Sequence, residues 1–110
     1  MDQTTRDLLI AAHDMVADEA RFCAEHFAVD KDGKIVFAND PAAVRWCPLG
    51  AIILAITKRP QGDSQMMIAA TKCLSSASMK LFGSNIADAV NAGGHAAAMQ
   101  LFDEALKEGE

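Results

Sequence analysis

Cys47 stands at the mouth of an apolar run, in Arg45-Trp46-Cys47-Pro48-Leu49-Gly50-Ala51, and a thiol in that place has a defined chemistry. The N-terminus of a helix carries partial positive charge, which favours thiolate over thiol and is one recognised route to a reactive cysteine. Arg45 adds a second positive charge nearby. A monothiol nucleophile also needs a base, and His95 and His26 are the candidates. Gly50 occupies the place where a Cys-x-x-Cys redox motif carries its second thiol, so thiol exchange within this motif is excluded. The plainer reading of the same residues is a small buried thiol at a tight helix entrance, with Gly50 permitting close contact between helices.

Other groupings carry weaker chemistry. Cys23 and His26 are three residues apart and would share a helix face, so with Cys47 and His95 they make a conceivable metal set. Structural zinc sites bring two close ligand pairs, and neither Cys47 nor His95 has a close companion, so no metal is expected. Asp30-Lys31-Asp32-Gly33-Lys34-Ile35 imitates the middle of a calcium-binding EF-hand loop. Aligned that way, Ala28 and Asn39 fall where the first aspartate and the bidentate glutamate belong, so the segment reads as a hairpin turn. Asn91-Ala92-Gly93-Gly94-His95 would present backbone N–H groups to an anion at a helix start, with Asn91, Gly93 and Gly94 as the holders. The glycine-lysine-serine signature of a phosphate loop is missing, and no cofactor is implied.

The elements that must position these groups are helical. The chain has 110 residues, 51% of them hydrophobic and many of those alanine, with five phenylalanines, one tryptophan and no tyrosine. Such a composition suits closely packed helices in one domain spanning residues 1–110. A formal net charge of -5 and the absence of a basic run argue against nucleic acid as a partner. The longest apolar run, Leu49 to Ile56, is too short to span a bilayer, so no membrane partner is expected either. Three cysteines and an N-terminus without a secretory pattern point to a reducing cytoplasm.

Periodicity predicts a first helix from about Thr5 to His26, capped by Thr4 or Thr5, with Leu9, Ala12, Val16, Ala20, Cys23 and Phe27 on one stripe. Phe27 to Val29 and Lys34 to Phe37 flank Asp32-Gly33 and predict a short β-hairpin excursion near residues 28–37. A second helix is expected to begin at Cys47, with Pro48 at its first position, and to end at Lys58 and Arg59; Ala51 to Ile56 is apolar on every side, which predicts a central, buried position. A third starts at Asp63 or Ser64 and ends at Gly83. Ser84 caps a short helix through Val90, a break covers Asn91 to Gly94, and a last helix runs from His95 to Lys107. The fold class is therefore all-α, a compact single domain of four to five helices with that hairpin.

The pieces Phe22-Cys23, Asp32-Gly33, Ala43-Val44-Arg45-Trp46-Cys47-Pro48-Leu49-Gly50-Ala51, and Asn91 to His95 with Phe102 and Ala105 resemble a family of small uncharacterised bacterial and phage proteins, a domain of unknown function. The resemblance spreads over residues 22–105. Where that family often reads Trp-Asn-Asp, this chain has Val90-Asn91-Ala92, so a carboxylate is missing. The resemblance implies a small helical domain and no particular activity.

Function is thus expected to be that of a protein-interaction or accessory module, non-enzymatic, binding an unknown protein partner or a second copy of itself. Two alternatives stand beside it: a thiol-dependent enzyme or redox sensor centred on Cys47, and a small-ligand or metal-binding module. Any site is expected where the Arg45-Trp46-Cys47 entrance meets the Asn91 to His95 loop, with Cys23 and His26 nearby.

Overall fold

A computed structural model describes residues 1–60 and 64–108. Its elements are α1 (Gln3–Val16), a single 3₁₀ turn (Glu19–Arg21), β1 (Ala28–Val29), β2 (Arg45–Trp46), α2 (Pro48–Thr57), α3 (Ser64–Phe82) and α4 (Ile86–Glu108). The expected all-α domain with a small β excursion is what forms. Helix α1 packs chiefly on α2 and α3 on α4, and Leu9, Val16, Ile52, Leu74, Val90, Leu101 and Phe102 fill the space between them. No helix among the described residues is long and apolar enough to cross a membrane.

Helix α1 is shorter than its periodicity predicts. Leu8, Leu9, Ala12 and Val16 are buried as the stripe requires, and Asp2 rather than Thr4 or Thr5 caps the start by accepting the Thr5 N–H at 2.7 Å. The helix stops at Val16 because Asp18 adopts an extended backbone and its carboxylate accepts the Ala20 N–H at 3.0 Å. A local side-chain hydrogen bond of this kind competes with the helical ladder. Cys23, Phe27 and His26 therefore lie in a bent return segment, not on a helix face, and His26 is exposed there.

That return segment wraps Trp46. Phe22 bridges Trp46 in parallel on one side, and Ala28 pairs with Trp46 antiparallel on the other. The excursion near residues 28–37 turns at Gly33, whose φ of 81° is the left-handed conformation glycine tolerates. Asp30 spends one carboxylate oxygen on the N–H groups of Asp32 and Lys34, both at 2.9 Å, which is a turn's use of aspartate. Val29 bridges Ile35 once, and the regular ladder of β1 is with Arg45–Trp46.

Helix α2 begins as expected, with Cys47 as N-cap and Pro48 in the first turn. It ends at Thr57, and its burial is one-sided: Ala51, Ile52 and Ala55 are buried while Ile53 and Leu54 are only half-buried. Asp63, the expected cap of α3, lies outside the described residues, as does Gly62. Gly83 terminates α3 with φ 66° and donates its N–H to Met79 at 3.0 Å.

The break predicted over Asn91 to Gly94 contracts to one residue. Helical conformation runs from Ile86 through Gly93, is interrupted at Gly94 (φ 64°, ψ -149°), and resumes at His95. Asn85 caps the start of α4 through its side chain to the Asp88 N–H at 2.8 Å, while Ser84 instead offers its carbonyl to the buried Ser78 hydroxyl at 2.6 Å. At the far end, Arg6 donates to the Leu106 carbonyl at 3.1 Å, fastening α1 to the last turn of α4.

Candidate functional site

The N-terminus of α2 is built by the segment that encircles it. Cys47 donates its backbone N–H to the Phe27 carbonyl at 3.3 Å, and its own carbonyl accepts the Ala51 N–H at 2.9 Å. Its Sγ, as the cap, accepts the Gly50 N–H at 3.3 Å. Cys23 donates its backbone N–H to the Trp46 carbonyl at 3.1 Å and its thiol to the His26 carbonyl at 3.2 Å. Trp46 is half-buried, with its indole Nε1–H on the Ala38 carbonyl at 2.9 Å. Arg45 is exposed on β2.

The ionisation of Cys47 follows its burial more than its place on the helix. Only 8% of the residue is exposed, and loss of solvent pushes its thiol above the ordinary 9.0, against the smaller opposing pull of the N–H groups of Gly50 and Leu49. Burial also pushes Cys23 up, followed by its proximity to Cys47. A thiolate at the α2 entrance is therefore disfavoured and the plainer reading of a buried thiol is favoured, because desolvation of a charged sulfur outweighs a partial dipole charge.

His95 is occupied elsewhere. Its Nε2 lies 2.8 Å from the Val16 carbonyl, so that nitrogen carries the proton and donates, and its ring packs edge-on against Phe22 at 5.3 Å. Among the described residues no hydrogen bond joins His95 to Cys47; the link is indirect, through Phe22 and its bridge to Trp46. Asn91 and Gly93 are exposed and Gly94 is half-buried on α4. The Cys23 N–H ties its segment to the Trp46 carbonyl beside Cys47, and Val90, which precedes Asn91, lines the same groove as Cys47. Among the described residues no group of three His, Cys, Asp or Glu is placed to hold a metal ion.

What residue-by-residue reading missed is an apolar groove of about 910 Å³ in front of Cys47. One wall is the return segment at Glu25, His26 and Phe27, and a second is the strip Ile35 to Asp40. The floor is Cys47, Pro48, Leu49 and Ile53 of α2, with Ile86, Ala87 and Val90 of α4 closing the end. The walls stay exposed: Phe27 at 54%, Ile35 at 67% and Phe37 at 81%. Among the described residues, Glu25 and Asp40 are the charged side chains of the lining, which includes no lysine or arginine. The signal available in the sequence was Ile35 and Phe37, two large apolar residues at strand spacing on a segment with no partner face assigned to it.

No curated protein and no solved structure matches the chain. The sequence profile of one family does so over residues 1–108, nearly the whole length, including the encircled helix entrance and both walls of the groove. By that match the chain belongs to DUF6197, a family of unknown function.

Proposed function

We propose that this protein is a cytoplasmic interaction module that seats an apolar segment of a partner protein in the groove in front of α2. The observation that carries the reading is the coincidence of a built floor with highly exposed apolar walls. Phe37, Ile35 and Phe27 project apolar surface into water beside a floor of Leu49, Ile53 and Val90. Exposed apolar patches rimmed by polar groups are characteristic of surfaces that other proteins cover. The groove suits an amphipathic helix, whose apolar stripe fills a trough and whose ends remain polar. Two carboxylates and no cation in the lining favour a partner with lysine or arginine flanking that stripe.

Enzymatic use of Cys47 has less support, since its thiol is buried and His95 donates to Val16. The test is a titration of isotope-labelled protein with a model amphipathic peptide bearing leucines at helical spacing and lysines at both ends. Amide shifts concentrated at Phe27, Ile35 to Asn39, Leu49 and Ile53, and weakened several-fold in Phe37→Ser, support the reading. Absent or scattered shifts, or binding unaffected by Phe37→Ser and by exchanging the lysines for aspartates, overturn it.

A further inference from the structure

Cys23 and Cys47 are far apart in sequence and adjacent in the fold. Phe22 pairs with Trp46 in a parallel bridge, and the Cys23 N–H continues that pairing onto the Trp46 carbonyl at 3.1 Å. The bridge is a single one, and Cys23 and Cys47 each follow it directly in sequence. Neighbouring strands lie about 5 Å apart, and residues in parallel register direct their side chains to the same side. A disulfide asks for Cα atoms roughly 4.4–6.8 Å apart, which is the order of one inter-strand spacing. Cys47 also lies close enough to disfavour charge on the Cys23 sulfur.

We propose that Cys23 and Cys47 are an oxidisable dithiol that a low-molecular-weight disulfide, such as glutathione disulfide, converts to an intramolecular disulfide. Cys23, the more exposed of the two, attacks first. Its thiolate forms a bond to one glutathione sulfur and expels the other as a thiolate. Cys47 then attacks the Cys23 sulfur and expels the second glutathione. The two protein thiols lose two electrons and two protons, and two glutathione molecules gain them. The Cys23–Cys47 bond withdraws Sγ of Cys47 from the Gly50 N–H and Sγ of Cys23 from the His26 carbonyl, and Cys47 and His26 both line the groove. Control of partner binding by oxidation rests on the interaction reading above; formation of the disulfide does not.

The experiment treats the reduced, folded protein with glutathione disulfide at pH 8 and maps thiols by mass spectrometry, using a Cys73→Ser background to remove the third cysteine. The expected product is a monomer lighter by two hydrogens with a peptide joining Cys23 to Cys47. Cys47→Ser keeps a hydroxyl at the helix cap and so keeps the fold; it is expected to retain one glutathione on Cys23. Cys23→Ser is expected to take up glutathione at least tenfold more slowly. A glutathione adduct that persists on Cys23 in the presence of Cys47, crosslinking between molecules, or no reaction in the folded protein overturns the proposal. Repeating the peptide titration on the oxidised protein reads the consequence for the groove separately, so a groove without affinity leaves the disulfide result standing.

Discussion

The Phe27 carbonyl lies over Gly50 so closely that a β-carbon on Gly50 would stand inside the carbonyl group. The same carbonyl accepts the Cys47 N–H, so one peptide group both holds the capping residue of α2 and presses on its first turn. Close approach of a loop to a helix start is what holds Cys47 and the groove wall in register.

Replacing Gly50 by alanine is therefore expected to be among the most damaging small changes in the chain. The obstacle is backbone, which cannot swing aside as a flexible side chain would. Overpacking of this kind costs about 3 kcal/mol, and urea unfolding of Gly50→Ala against the parent measures it. An unchanged midpoint would mean that the return segment does not sit where Phe27 places it.

Gly94 is also expected to resist substitution. Its φ of 64° with ψ of -149° lies in a region that essentially only glycine populates, at a cost of about 1–3 kcal/mol for other residues. Gly94→Ala should either lower stability by that amount or straighten α4. Straightening would pull His95 from the Val16 carbonyl, which a change in the His95 ring resonances would report.

Ser78 is fully buried and spends its hydroxyl on the Ser84 carbonyl, joining the end of α3 to the turn before α4. Ser78→Ala leaves that carbonyl without its donor. The expected loss is about 1–2 kcal/mol, read as a lower melting temperature with the groove residues undisturbed. Phe82→Ser, an exposed neighbour in sequence, should change stability far less.

The thiols make a prediction about pH. A folded pKa raised above the unfolded value of about 9 means that the unfolded chain ionises first as pH rises. The contribution of Cys47 to stability is therefore complete below pH 9 and declines above it. Cys47→Ser should flatten that decline in unfolding curves taken between pH 8 and 10. Alkylation at pH 7 should be slower at Cys47 than at Cys23, the reverse of what a thiol at a helix entrance suggests from sequence.

Local chemistry was legible in the sequence because it depends on neighbours along the chain. Pro48 after a cap at Cys47, Gly33 in its turn, Gly83 as a stop and the apolar stripe of Leu9, Ala12 and Val16 each follow from constraints acting within a few residues. The same constraints made the all-α class readable from composition and period. They did not reveal that Asp18 ends α1, because a short polar side chain can cap a turn or ride on a helix with little local difference between the two. They did not pair Val29 with Arg45 or Phe22 with Trp46, since strand partners are chosen by what else packs around them. The ionisation of Cys47 turned on burial, which is set by the surrounding segments and outweighed the helix terminus that the sequence displayed. The groove is assembled from four separate stretches of chain, so only the tertiary structure could decide that Phe27, Ile35 and Phe37 line one groove with Leu49, Ile53 and Val90.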